Sequence, residues 1–160
     1  MHDVDPSALD LATLAALAAD SASDFLLAKL RATDPQIRTS HGYVFQHLLV
    51  RSPTVGELAD MLAVTQQAVS KSVSELEALG YVERQPDPED SRVRRVALTA
   101  AGRSVIERGR AARAALEKEL LGELGAPALR AAKKALVALL ARTGGVDAVK
   151  ARKAKPRKME

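Results

Sequence analysis

The 160-residue chain contains no cysteine. Disulfides, thiolate metal sites and switches built on thiol oxidation are therefore excluded. Aromatic residues are scarce, with two tyrosines, two phenylalanines and no tryptophan, so there is no stacking box from which an aromatic ligand could be read. No uncharged apolar run approaches the roughly 20 residues that a membrane span needs. The amino end, Met1-His2-Asp3-Val4-Asp5-Pro6, is acidic where a secretory signal would be basic. A cytoplasmic protein is expected, with no membrane partner. Neither a phosphate-cradling glycine loop nor a G-x-S-x-G turn is present, and no enzyme or cofactor is predicted. His41 and His47 stand six residues apart, roughly 600° around a helix of 3.6 residues per turn. Their imidazoles fall on different faces, so no metal site is expected either.

The net charge of +4 is unevenly spread. Lys150, Arg152, Lys153, Lys155, Arg157 and Lys158 against Glu160 give +5 to residues 150–160, which leaves −1 for residues 1–149. A near-neutral body cannot bind a polyanion through bulk charge, so any such binding must come from local placement of arginine and polar groups. The tail, read as a disordered basic segment, adds only phosphate attraction without sequence preference, or else simply keeps the chain soluble.

The most informative stretch runs from residue 54 to residue 99. Thr54-Val55-Gly56-Glu57 is a capping box, with a hydroxyl and a carboxylate three residues apart to satisfy free N–H groups at a helix start. Val55, Leu58, Ala59 and Leu62 then mark one apolar face. Thr65 can cap a second helix that runs to Gly80, with a stripe of Val69, Val73 and Leu76, widened by Ala68 and Leu79.

The opposite face of that second helix carries Gln66, Gln67, Ser70, Lys71 and Ser74, with no acid before Glu75. Glutamine matches adenine in the major groove, lysine reaches guanine or phosphate, and serine lets the backbone approach. An ordinary solvated helix face has the same composition. Beyond Gly80, two stretches of strand composition, residues 81–85 and 92–98, flank Pro86-Asp87-Pro88-Glu89-Asp90-Ser91, which predicts a hairpin with a stiff tip. Asp90 is expected to pair with an arginine and fix the tip, leaving another free for a narrow minor groove. Four acids balance Arg84, Arg92, Arg94 and Arg95 there, so a solvated hairpin with local ion pairs is the plainer alternative.

These residues resemble the MarR family of bacterial transcription regulators. Asp90-Ser91-Arg92, then five residues, then Leu98-Thr99 matches that family's wing signature. Thr65-Gln66-Gln67-Ala68-Val69-Ser70-Lys71, followed by Leu76-Glu77 and Gly80-Tyr81-Val82, looks like its recognition helix. The resemblance covers about residues 40–102. It implies a mainly α fold with a small β-hairpin wing, a winged helix-turn-helix between N- and C-terminal dimerisation helices. It also implies that Gln66, Gln67, Ser70, Lys71 and Ser74 face a major groove and Arg92 a minor groove, with Thr65 and Arg94 among the DNA contacts.

The flanks are helical in pattern. Residues 7–32 carry Leu11, Leu14, Ala18, Ser21, Phe25 and Ala28 at helical spacing behind Ser7 as a cap, and Thr33-Asp34-Pro35 ends the run. Ser40 is expected to cap a helix reaching about Val50. On it, His41 shares the face of Val44, Phe45 and Leu48, as a hydrogen-bonded structural residue or as part of an effector pocket, while His47 is expected at the surface. A long helix is expected from Ala100 to about Glu123, carrying Val105, Ile106, Gly109, Ala112, Leu116 and Leu120; Gly125-Ala126-Pro127 breaks it, and a last helix with Leu129, Ala132, Leu136, Leu139 and Leu140 ends before Gly144-Gly145. Of 30 alanines, 25 lie outside residues 34–99. Alanine favours helix and close axes, so residues 7–32 and 100–142 are expected to dimerise, a monomeric bundle being the alternative.

Residues 1–149 are thus read as one domain, with 40–99 the DNA-binding part. The expected function is a homodimeric repressor of a palindromic operator on double-stranded DNA, released by a small aromatic effector. A winged-helix module that binds protein would present apolar anchors on the second helix, and none stands there.

Overall fold

The computed structural model describes residues 5–146, so the basic tail at 150–160 lies outside the described residues. A short 3-10 turn, Pro6–Ala8, precedes α1 (Leu11–Arg31). The caps differ from the sequence expectation. Asp5 caps the turn that contains Ser7, and Asp10 caps α1 by accepting from the backbone N–H groups of Ala12 and Thr13, both at 3.0 Å. A carboxylate accepts several N–H groups where a hydroxyl also spends a donor, and the negative charge suits the helix N-terminus.

Next come α2 (Thr39–Leu48), α3 (Val55–Leu62), α4 (Gln66–Ala78), β1 (Val82–Pro86), β2 (Arg94–Leu98) and α5 (Ala100–Arg142). Ser40 lies inside α2. The residue preceding that helix is Arg38, whose backbone N–H donates to His41 Nδ1 at 3.3 Å. The capping box ahead of α3 forms as expected, with Glu57 N–H on Thr54 Oγ1 at 3.2 Å and Thr54 N–H on Glu57 Oε2 at 2.7 Å. Thr65 Oγ1 likewise caps α4 through Ala68 N–H, and Gly80 follows the helix at φ 74°.

One core unites the helix-turn-helix and the hairpin. Val44, Phe45 and Leu48 of α2, Leu58 and Leu62 of α3, Val69, Val73 and Leu76 of α4, and Val82, Val96 and Leu98 of the hairpin are all buried, and Val105 of α5 closes it. Ala68, expected to widen the α4 stripe, is exposed, and Leu79 is half-buried. His47, expected at the surface, is buried at 7% exposure. The strands pair antiparallel from Val82 with Leu98 to Pro86 with Arg94, and Val96 N–H reaches back to the Pro53 carbonyl at 2.8 Å.

α5 is seated tightly on this unit. Thr99 caps it through Gly102 N–H and donates its hydroxyl to the Gly80 carbonyl at 2.7 Å. A Cβ at residue 102 would stand 2.1 Å from the Tyr81 carbonyl oxygen, so only glycine lets the helix approach there. The expected break occurs at Gly125, at φ 75° and ψ 160°, two residues before Pro127. Lys133 nonetheless pairs with Glu117. Sixteen residues of straight helix would hold those groups about 24 Å apart, so the chain folds back at Gly125.

The flanking helices are barely covered. No residue of α1 is buried, and in α5 only Gly102, Val105 and Gly109 are. α1 meets α5 through the half-buried Leu26, Leu27 and Leu30, whereas Leu11, Leu14 and Phe25 of the expected stripe remain exposed. α1 is also long and apolar enough, by length and composition, to cross a membrane. A search for uncharged runs passes over it because Asp20 and Asp24 interrupt the sequence.

Candidate nucleic-acid interface

α4 offers its outer face whole. Gln66, Gln67, Ser70, Lys71 and Ser74 are all exposed, and Val69, Val73 and Leu76 anchor the helix beneath them. The five are not equivalent. The Gln66 side chain leans over α3, so that a Cβ on Gly56 would stand 3.3 Å from its Nε2. Thr65 spends its hydroxyl as a cap. Ser74 accepts from Arg84 Nη2 at 3.1 Å, and Arg84 also pairs with Glu77. Gln67, Ser70 and Lys71 are therefore the freest of the face.

The wing tip is fixed by Asp87, not by Asp90 pairing with an arginine. Asp87 is buried, accepts from the Glu89 and Asp90 N–H groups at 2.8 and 3.2 Å, and pairs with Arg95. Backbone donors first, and Arg95 second, hold its carboxyl below the usual carboxylate range. Asp90 bonds only backbone, through Arg92 N–H at 3.0 Å. The pattern was legible in principle, because an aspartate turned on its own chain two and three residues ahead marks a tight turn. Choosing between Asp87 and Asp90 required the register of Arg95. Arg92 and Arg94 are exposed, and neither guanidinium has an ion pair among the described residues.

Two polar clusters that sequence reasoning missed tie the reader to the rest of the chain. Glu75 of α4 accepts from Arg38 Nη1 at 3.1 Å and lies 3.3 Å from His41 Nε2. Because His41 Nδ1 accepts from Arg38 N–H, Nε2 carries the proton and donates to Glu75. Burial pushes the His41 imidazole below its ordinary value of 6.5, against the pull of Glu75. The His41 bond, then Arg38, holds Glu75 below its ordinary range. In the second cluster, Tyr81 donates its hydroxyl to Asp34 at 2.6 Å and Arg108 of α5 donates to the other oxygen at 2.5 Å. Burial, with Asp34 alongside, pushes the Tyr81 hydroxyl up to about 12.

A cavity of about 590 Å³ opens between α1, α2 and α5. Leu27, Leu30, Phe45, Leu49 and Ile106 form its apolar wall, with Arg38, Arg110 and Arg113 among the remaining lining residues. His41, considered as a pocket residue, is absent from that lining, since its ring is turned toward α4 and Glu75. Side chains on one helix face can still pack against different neighbours, and periodicity alone did not show that His41 meets α4 while Phe45 lines the cavity. Among the described residues no cluster of His, Asp or Glu could hold a metal ion.

The described geometry recurs in known proteins. The MarR family model matches residues 39–93, which takes in α2, α3, α4, β1 and the wing tip. The chain is similar in fold to a mutant of S. aureus MepR, at a TM-score of 0.71 and 20% identity over 84% of this chain and 99% of that one. An S. aureus MepR–DNA complex matches at 0.69 and 21%, over 82% and 98%. The transcriptional regulator Tm0710 from Thermotoga maritima matches at 0.56 and 26%, over 80% and 90%. No curated protein sequence matches the chain. The MarR family model thus matches about a third of the chain, its helix-turn-helix and the first part of its wing, and the mostly helical fold with a two-stranded hairpin is the one these solved structures share.

Proposed function

We propose that the chain is a homodimeric, sequence-specific DNA-binding regulator of transcription, most simply a cytoplasmic repressor with no enzymatic activity. The observation that carries this reading is the outer face of α4. Gln67, Ser70 and Lys71 stand exposed there on a rigidly seated helix, ahead of any acid, and Arg92 and Arg94 on the wing have no ion pair among the described residues. Such a helix fits a major groove, and a two-fold partner sets a second one about 10–10.5 base pairs away on a roughly palindromic site. One of the solved structures of similar fold is a complex with DNA. The exposed leucines of α1 and α5 supply the surface for the partner. The cavity between the flanking helices and the reader supplies a place for a small effector, aromatic or otherwise apolar.

Selection of the full chain against random-sequence duplex DNA tests the reading. Enrichment of a two-fold symmetric site, bound at least about 10³-fold more tightly than random duplex at physiological salt, is the expected result. Recovery of no consensus overturns it.

A further inference from the structure

Tyr81 joins the reader to both flanking helices, and it does so at two points. Its ring stands edge-on to Phe45, with centroids 6.3 Å apart, and its N–H closes the end of α4 on the Leu76 carbonyl at 2.9 Å. The first point is the Tyr81 carbonyl, which accepts from Thr99 N–H at 3.1 Å and is closely approached by Gly102 at the start of α5. The second is the hydroxyl, which donates to Asp34, just past the end of α1, at 2.6 Å; Arg108 of α5 donates to the other Asp34 oxygen at 2.5 Å. Gly102 and Arg108 are separated by about 9 Å along α5 at 1.5 Å of rise per residue. One contact leaves α4 free to pivot on α5, whereas two contacts that far apart fix the angle.

The second point is poorly explained by stability alone. Asp34 is 8% exposed, and Arg108 Nε is buried with no hydrogen-bond partner among the described residues. An ion pair with a buried member is weak evidence of stability, because desolvating the charges offsets much of their attraction. What it supplies is one arrangement out of several. Apolar contacts such as those of α1 on α5, through Leu26, Leu27 and Leu30, can slide with little loss, while hydrogen bonds weaken steeply with angle and distance.

We propose that Asp34 and Arg108, acting through the Tyr81 hydroxyl, fix the angle of the recognition helix on α5, which makes them positioning residues for half-site spacing and not for base reading. The inference rests on the reading of the chain as a homodimeric DNA-binding regulator. On that reading α1 and α5 carry the leucines that meet the partner, so the angle of α4 on α5 sets where each recognition helix stands relative to the two-fold axis. Gln67, Ser70 and Lys71 lie toward the end of α4 remote from Tyr81, so a small pivot at Tyr81 becomes a larger displacement in the groove. With the angle fixed, two helices enter successive major grooves at one half-site separation. Without it each reader still binds its own half-site, and the pair accepts several separations with lower affinity for the best one.

Tyr81→Phe removes the hydroxyl and keeps the ring against Phe45; Asp34→Asn keeps an acceptor for Tyr81 and loses the ion pair with Arg108. Binding is measured on the selected operator, on a single half-site, and on operators with one base pair inserted or removed between half-sites. Tyr81→Phe should bind the half-site within about two-fold of wild type and the full operator about ten-fold more weakly. It should also lose most of the preference for the native separation, with Asp34→Asn between it and wild type. A general loss of folded protein lowers half-site and full-site binding together and leaves that preference unchanged. The angle itself is read without DNA. The chain has no cysteine, so Ala68→Cys on α4 and Ala115→Cys on α5, both exposed, take spin labels at those positions alone, and dilution with unlabelled chain isolates the distance within one chain. Adding Tyr81→Phe should broaden that distance distribution well beyond the wild-type width. Equal widths overturn the proposal, as does a Tyr81→Phe chain that keeps the wild-type spacing preference or loses half-site and full-site binding alike. Recovery of no operator overturns the regulator reading alone, since the distance measurement still decides the angle.

Discussion

A single side chain can report on the fold or on the ligand, and the two are separable here. His41 is buried neutral, with Arg38 N–H on one nitrogen, Glu75 on the other and the Arg38 guanidinium nearby. Its folded value is depressed, so the unfolded chain takes up a proton that the folded chain resists. The stability it contributes is complete above 6.5 and is lost as pH falls below that value. Between pH 7 and 5, Glu57, Glu75 and Asp87, all held below the usual carboxylate range, stay ionised. Over that interval the melting temperature of wild type should fall further than that of His41→Gln, and parallel curves would show that His41 is not held neutral. On the proposed function, Gln67 and Arg92 report on DNA instead. Gln67→Ala should relax base preference at one position, by about 1–3 kcal/mol. Arg92→Ala should weaken all sequences alike and lower the salt slope by about one. Both are exposed and bonded to nothing in the core, so their melts should match wild type. Operator titrations with both variants indistinguishable from wild type would place the reading face elsewhere.

The wing shows what an element's sequence does and does not say. Two strands around a Pro-rich tip were legible, because Val82, Val96 and Leu98 alternate with polar residues while prolines interrupt between them. Which acid organises the tip was not, since that depends on Arg95 lying over Asp87 across a register that only pairing defines. Asp87→Ala removes the acceptor of two backbone N–H groups and an ion partner at once and should loosen residues 87–93. Asp90→Ala removes one N–H contact and should loosen them far less. Limited proteolysis reads the difference, with cleavage within 87–93 accelerated several-fold in Asp87→Ala, and equal digestion of both variants would return the role to Asp90. The helices follow the same division. The capping box, the Thr65 cap and the valine stripe of α4 are local and were read from the chain directly. The Arg38–His41–Glu75 and Asp34–Tyr81–Arg108 clusters join residues 34 to 74 positions apart, a separation at which no periodicity carries a signal. The same holds for His47, whose burial is decided by what packs over α2 and not by its place on the helix.

At the scale of the whole molecule the reader is finished and its flanks are not. Of twelve exposed large apolar side chains among the described residues, ten lie on α1 or α5, among them Leu11, Leu14, Leu17, Leu124, Leu136 and Leu140. Covering one such leucine is worth about 1.5–3 kcal/mol, so several covered together exceed the entropy that association costs. A second copy brings the same surface, and a two-fold axis makes that surface complementary to itself. Each chain alone would carry one recognition helix. Joining two makes the second contact intramolecular and raises operator affinity well beyond that of a half-site. The double substitution Leu14→Glu with Leu136→Glu places charge on both flanking helices and touches no buried residue of the reader. Sedimentation at micromolar concentration should find wild type as two chains and the variant as one, with the far-ultraviolet spectrum retained. The variant should bind a full operator no better than a half-site, at least about 10²-fold below wild type. If the variant remains paired, the interface lies away from these leucines. If wild type is a single chain that still binds the full operator tightly, the two-fold geometry is wrong and the apolar faces of α1 and α5 need another explanation.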